Sequence, residues 1–284
     1  MKFSLWRSYG ALNSRPVFDA FARGAESLGY ACVDNDPSAD VDVIWSVLWN
    51  GRMAGNKAIW EAARARSKPV VVLEVGGIKR GTTWKVGLNG INRDAYFGDM
   101  DNSSNRSDLL QLSLKPWRTD GEYILICGQH DKSLQWQGMP SMSNWFLNTY
   151  DEIRKHTDRP IIFRPHPRCR LPHIERGLKH VYRQDPVQIG GTYDDFNLGF
   201  DNIHCTISWS SNPGIHSVLD GVPSFVSTHS LAYPVANDID FLYDIEQPLM
   251  PDRTQWLNDY AHTEYTVKEI SQGLPLKNLT SNLI

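Results

Sequence analysis

The sequence has no paired cysteines. Its four, Cys32, Cys127, Cys169 and Cys205, are scattered without a CxxC motif, and Cys127 and Cys205 fall in apolar runs where a free thiol acts as a small buried hydrophobe. That usage fits a reducing interior such as the cytoplasm. No apolar run approaches the ~20 residues needed to cross a bilayer, and MKFSLWRSYG lacks the apolar core of a secretory leader. A soluble, cytoplasmic chain without a membrane partner is expected. The GxSxG elbow, HExxH and the Walker A loop are also missing; GGIKRGTT offers glycines and Lys79 at the wrong spacing. His166, His173 and His180 are seven apart, and His166 precedes the helix expected after it, so three imidazoles do not converge and no metal is expected. Strong charge is absent too: 29 basic residues face 32 acidic ones, for a net −3. Residues 1–120 carry +3 and the remainder −6, a basic surplus that permits a polyanionic partner without demanding one.

What is present is a regular alternation. At 284 residues, with 41% apolar and 21% charged residues, the chain suits two globular domains. MKFSLW, VDVIWSVLW and PVVVLEVGG read as strands, separated by helices over SRPVFDAFARGAESLGY and NKAIWEAARARS. Residues 79–120 are polar and irregular and read as long loops with a crossover. A second cycle follows: the strand YILICGQ, a helix from Ser143 to His156, the strand RPIIFRPHP, a helix over HIERGLKHVYRQ, the strand NIHCTISWS, a short helix ending at Gly221, the strand PSFVSTHS and a last helix at KEISQGL. The expected fold is α/β, with two Rossmann-like parallel-sheet domains at 1–120 and 121–284 facing across a cleft, and a C-terminal helix that crosses back.

Ligands of open parallel sheets bind beyond the carboxyl ends of the strands. Six such ends turn polar, glycine-rich or basic: WRSYG with Arg7, WNGR with Trp49, EVGG with Glu74, GQH with Gln129, RPHPR, and SWSSN. Ser210, Ser211 or Asn212 can cap the helix that begins near Pro213; the same start, with its dipole and exposed N–H groups, suits an anion. Arg164 and Arg168 can fork onto phosphate oxygens, and His166 between two prolines has little freedom to lose; the rival reading is a rigid loop with solvated arginines. Glu74 at the end of a buried strand suits a general base or, equally, a structural acceptor. Lys79, Arg80, Lys85 and Arg93 interleaved with Trp84, Tyr96 and Phe97 fit a phosphate backbone and an unstacked base, or a loop pinned by aromatic anchors.

In order, ILICGQ, a Trp-containing helix, IIFRPHPR and SSNPGIHSVLDGVPSF resemble the nucleotide-binding half of GT-B glycosyltransferases, most of all the capsule polysaccharide and Kdo-transferase group. The likeness covers about residues 122–226. WRSYGALNSRPVFDAF and VLEVGGIKRGTTWKVGLNGINRD are similar to segments of phage-encoded proteins. The resemblance implies that Gln129, Arg164, His166, Arg168, Ser210 and Ser211 border a nucleotide sugar, with a UDP-sugar expected and no tightly bound cofactor. Where that group carries a glutamate for the ribose, this chain has His216, with Asp220 as a reserve carboxylate.

The resulting expectation is a metal-independent glycosyltransferase. Glu74, Asp94 or Asp99 takes the acceptor proton, while Arg7, Trp49, Lys79, Arg80, Trp84, Lys85 and Arg93 line the acceptor. The resemblance implies double-stranded DNA carrying a hydroxymethylpyrimidine as one acceptor and a glycan as the other. A non-catalytic nucleotide or nucleic-acid binder and a nucleotide-sugar epimerase on the same plan are the alternatives.

Overall fold

In the computed structural model, which describes residues 1–118, 120–189 and 195–283, the chain forms two compact units. Met1–Leu110, Lys132–Leu134 and Asn258–Ile284 make the first; Gln111–Asp131 and Gln135–Leu257 make the second.

The first unit is built on β1 (Lys2–Leu5), β2 (Ala31–Asp34), β3 (Val41–Trp45), β4 (Val70–Val75), β5 (Thr83–Leu88) and, from the far end of the chain, β12 (Glu264–Thr266). Their order is β12-β5-β4-β3-β1-β2. The four strands from β2 to β4 are parallel, whereas β5 runs antiparallel to both β4 and β12. Side chains alternate across the strands, so the sheet has two apolar faces. Phe3, Leu5, Val43, Trp45, Leu73, Trp84 and Val86 pack beneath α1 (Arg15–Ser27), α7 (Val267–Ser271) and α8 (Leu274–Leu279). Ile44, Val70 and Val72 face α2 (Asn56–Ala65) on the other side.

The second unit contains β6 (Tyr123–Cys127), β7 (Ile161–Arg164), β8 (Val181–Arg183), β9 (Ile203–Ser208), β10 (Ser224–Val226) and β11 (Asn237–Asp238), all parallel and ordered β11-β10-β9-β6-β7-β8. Numbered within the unit this is the 3-2-1-4-5-6 order of a dinucleotide-binding sheet, with its reversal between β6 and β9. α4 (Met142–Ile153) covers one face through Phe146, and Phe146 and Phe163 lie 4.1 Å apart between ring centroids. Cys127 and Cys205 are fully buried in this sheet, and burial pushes the Cys127 thiol up to about 11.

Three sequence expectations change. Residues 79–120 are not loops throughout, because TWKVGL forms β5 and Asn105–Leu109 forms the short helix α3. TWKVGL does alternate, with apolar Trp84, Val86 and Leu88 between Thr83, Lys85 and Gly87, but the lysine and glycine inside it and the polar residues around it read as loop, although all six residues are buried. HIERGLKHVYRQ is not a helix: a single turn at Ile174–Gly177 gives way to extended Leu178, left-handed His180 (φ 54°) and the edge strand β8. Parallel pairing with β7 outweighs the local helical pattern there. ACVD, β2, is also an edge strand, half-exposed and without the alternation that would mark it.

Candidate functional site

In the second unit the site gathers at the reversal of strand order. Gly128, just past β6, donates its N–H to the Arg164 carbonyl at 2.8 Å. A side chain at Gly128 would press on Pro165 and the His166 backbone, at 3.3 and 3.2 Å. The next residue, Gln129, accepts from both the backbone N–H and the hydroxyl of Ser210, each at 3.1 Å. The ends of β7, β6 and β9 are therefore stitched together through two residues. His166 accepts from the Arg168 N–H on Nδ1 at 3.1 Å, which leaves Nε2 to carry the proton of the neutral ring. The His130 ring meets it edge-on, with centroids 5.3 Å apart.

The start of α5 (Asn212–Leu219) lies beside this junction. Ser211 is its N-cap in backbone terms (φ −80°, ψ 159°), yet its side chain makes no capping bond. Its Oγ is buried without a partner, as is the indole Nε1 of Trp209 two residues earlier. A buried polar group without a partner costs about 1–3 kcal/mol, so two in three residues mark a place built for something else to fill. Gly214 lets α5 begin this close, since a side chain there would meet the Ser208 hydroxyl at 2.5 Å.

Two of the expected donor residues are committed elsewhere. Arg164 is 5% exposed, and it donates to the Gln184 side-chain oxygen from Nε (2.9 Å) and Nη2 (2.5 Å) and to the Gly199 carbonyl (2.8 Å). Nε and Nη2 thus tie β7 to neighbouring segments, while Nη1 is buried without a partner among the described residues. Asp220 is held by Arg118 at 2.8 Å and by Lys115. It caps the C-terminal end of α5, about 12 Å from the helix start at 1.5 Å per residue, so it cannot stand in for a ribose-binding carboxylate there. His216 is half-buried one turn into α5, and Arg168 is exposed.

The first unit has its own polar cluster at the carboxyl edge of β3 and β4. Ser46 follows β3 in the left-handed region (φ 65°), a conformation a serine adopts only under constraint. Its hydroxyl donates to Glu74 Oε2 at 2.5 Å and accepts from the Leu48 N–H at 3.1 Å. The Val75 N–H donates to Glu74 Oε1 at 2.8 Å. Burial pushes the Glu74 pKa above the carboxylate range; these two bonds and the charges of Lys85 and Arg80 pull against it and lose.

Strand pairing sets Lys85 opposite Glu74 on one side and opposite Glu264 on the other. The three residues therefore form a row across one face of the sheet, on the α2 side. Glu264 is fully buried and accepts from the N–H groups of Gly77 (2.6 Å) and Ile78 (2.9 Å) and from the Thr83 hydroxyl (2.7 Å). It pins the loop that carries Lys79 and Arg80, both half-buried. Gly76 is obligatory there, since a side chain would meet Glu264 at 2.3 Å.

The remaining first-unit candidates scatter. Trp84 is 8% exposed and packs on Trp45 at 5.8 Å, and Lys85 is 3% exposed, so the expected strip of surface aromatics and cations is not assembled. Arg93, Asp94 and Asp99 are exposed in the segment leaving β5 beyond Leu88, which pairs with Val71 near the start of β4, at the opposite edge of the sheet from Glu74. Asp99 accepts from the Tyr96 hydroxyl at 3.1 Å. The Arg7 guanidinium is engaged by Asp19 (2.7 Å) and Asp34 (2.8 Å). Trp49 is half-buried against Trp60, with its Nε1 unpartnered. Sequence reading missed Glu264 and Ser46: the first is 190 residues from Glu74 in the chain, and a lone serine after a strand carries no signal.

Among the described residues, no group of three or more His, Cys, Asp or Glu side chains is placed to hold a metal, and no helix is long and apolar enough to cross a membrane. No protein-family model and no curated protein matches the chain. Solved structures do. The beta Kdo 2,7 transferase of Thermosulfurimonas dismutans KpsC superposes with a TM-score of 0.54 at 16% identity, over 98% of this chain and 100% of that one. The beta Kdo 2,4 transferase of the same protein gives 0.53 at 14% identity, over 97% and 98%. The chain has a GT-B glycosyltransferase-like fold of two Rossmann-type units.

Proposed function

We propose that the chain is a glycosyltransferase that moves a sugar from a nucleotide sugar to a hydroxyl acceptor. The observation that carries this reading is the junction of β6, β7 and β9. There His166, the Gln129-held Ser210 and the uncapped start of α5 follow strands at the reversal of a 3-2-1-4-5-6 sheet, and among the described residues the donors of Ser211 and Trp209 are buried without partners. Such a set suits a diphosphate: the imidazole N–H and the helix N-terminus meet the charge that develops as the nucleotide departs, without a metal. Glu74, its proton affinity raised by burial, takes the proton from the acceptor hydroxyl.

The acceptor we favour is a glycan hydroxyl rather than a hydroxymethylpyrimidine in DNA, because Trp84 and Lys85 are buried. The test is a thermal-shift screen against UDP-, GDP-, CMP- and dTDP-linked sugars, followed by product analysis with and without an acceptor. A donor that raises the melting temperature of the native chain but not of His166→Ala supports the site. Turnover without an acceptor turns the reading into an epimerase, and no shift with any donor removes it. Transfer to DNA that weakens steeply with salt would restore the nucleic-acid acceptor.

A further inference from the structure

Lys85 lies at the centre of the Glu74–Lys85–Glu264 row, almost wholly buried, and its ammonium makes no hydrogen bond or ion pair within 4 Å among the described residues. Burial pulls the Lys85 pKa down while the charges of Glu264 and Glu74 act to keep its proton; an ammonium at that depth is costly unless it is set against such carboxylates. Glu264 is not the group in need, since three fixed donors already satisfy its carboxylate. Glu74 is: it has one donor on each oxygen, and burial drives it toward the neutral acid. The other charged or titratable groups around the row are Arg80, from the loop after β4, and Tyr260, from α6 (Thr254–Ala261), which senses both Glu264 and Arg80.

We propose that Lys85 is a positioning residue for the base: set by strand pairing between Glu74 and Glu264, its positive charge opposes the burial that favours neutral Glu74 and so eases the charged form that accepts a proton. This rests on the reading of Glu74 as the acceptor base. In that step the acceptor oxygen bonds to the sugar carbon as the bond from that carbon to the nucleotide phosphate oxygen breaks, its electron pair leaving on the phosphate; the acceptor proton moves to a Glu74 oxygen, and the row passes from one net negative charge to none. Lys85 then remains paired electrostatically with Glu264 alone, so the ammonium is never left without a counter-charge.

The experiment is an NMR titration with glutamate labelled at the carboxyl carbon, in which the Glu74 signal is identified by its loss in Glu74→Gln. In Lys85→Met the Glu74 midpoint should move upward by about one pH unit or more, and in Lys85→Arg it should return toward the native value. An unchanged midpoint in a Lys85→Met protein that still melts cooperatively overturns the proposal. If Lys85→Met does not fold, the wild-type chain labelled at the lysine ε-carbon replaces it. The Lys85 signal should then show a step at the Glu74 midpoint that vanishes in Glu74→Gln, and a titration without that step overturns the proposal equally. Neither readout needs turnover, so a chain that transfers no sugar would defeat the proposed function while leaving the coupling between Lys85 and Glu74 measurable.

Discussion

The carboxyl edges of the two sheets differ in character. In the second unit every strand is parallel, and what reaches the edge is backbone and small donors: the glycine after β6, hydroxyls, an imidazole and a helix start. In the first unit β5 runs against β4, so its beginning, not its end, lies at the carboxyl edge, and Lys85 arrives there from inside a buried strand. β12 then adds Glu264 from near the end of the chain. A wholly parallel sheet offers shape and N–H groups for an anion. A sheet closed by antiparallel strands can place opposed charges side by side, as proton handling requires.

Substitutions sharpen that contrast. The largest expected effect is on turnover: Glu74→Gln should lower kcat by about 10²–10⁴ while donor affinity, read by thermal shift, stays unchanged. Unchanged kcat would remove Glu74 from the chemistry.

Next comes the clamp that holds the C-terminal segment in the first unit. Arg106 is 8% exposed; it donates to the Ala261 carbonyl at 2.6 Å and to Glu269 at 2.6 Å, also bonds the Glu264 carbonyl, and lies over the Tyr265 ring at 4.3 Å. Arg106→Met should destabilise the chain by about 3–5 kcal/mol in urea unfolding, since Glu269 is left without its cation. A loss under 1 kcal/mol would mean that β12 is held by its strand pairing instead.

A smaller effect is expected at the hydroxyl edge. Ser211→Ala removes a group with no partner in the free protein, so stability should hold or rise, while donor affinity falls about two- to tenfold. Equal affinity in calorimetry would show that the hydroxyl does not meet the donor.

The smallest effect concerns pH. The native Glu74 carboxyl binds its proton more tightly than the unfolded one, so its contribution favours the fold at low pH and is lost as pH rises from the ordinary value of 4.5 through the raised native value. Glu74→Gln, always neutral, should gain in melting temperature over the wild type across that window and level off above it. A constant difference would mean that the native proton affinity is not raised.

Much of the second unit was legible because its polar junction is local: Gln129, His166, Ser210 and Ser211 each lie within three residues of the end of an apolar strand, so their place needs no knowledge of the pairing. The strand-end rule did not foresee the bonds of Arg164 and Asp220, whose partners Gln184, Gly199, Lys115 and Arg118 are distant in sequence. It also expected Trp84 and Lys85 at a surface, because the alternation of TWKVGL does not tell a strand buried on both faces from a half-exposed one.

Sequence alone determined the α/β class, the alternation of strands and helices, and the strand ends that turn polar, because these follow from periodicity and composition over a few residues. Only the tertiary structure decided which of those polar groups meet. Glu264 joins Glu74 and Lys85 through register across three strands linked by two antiparallel pairings, and register is a property of pairing between distant segments that no local pattern encodes.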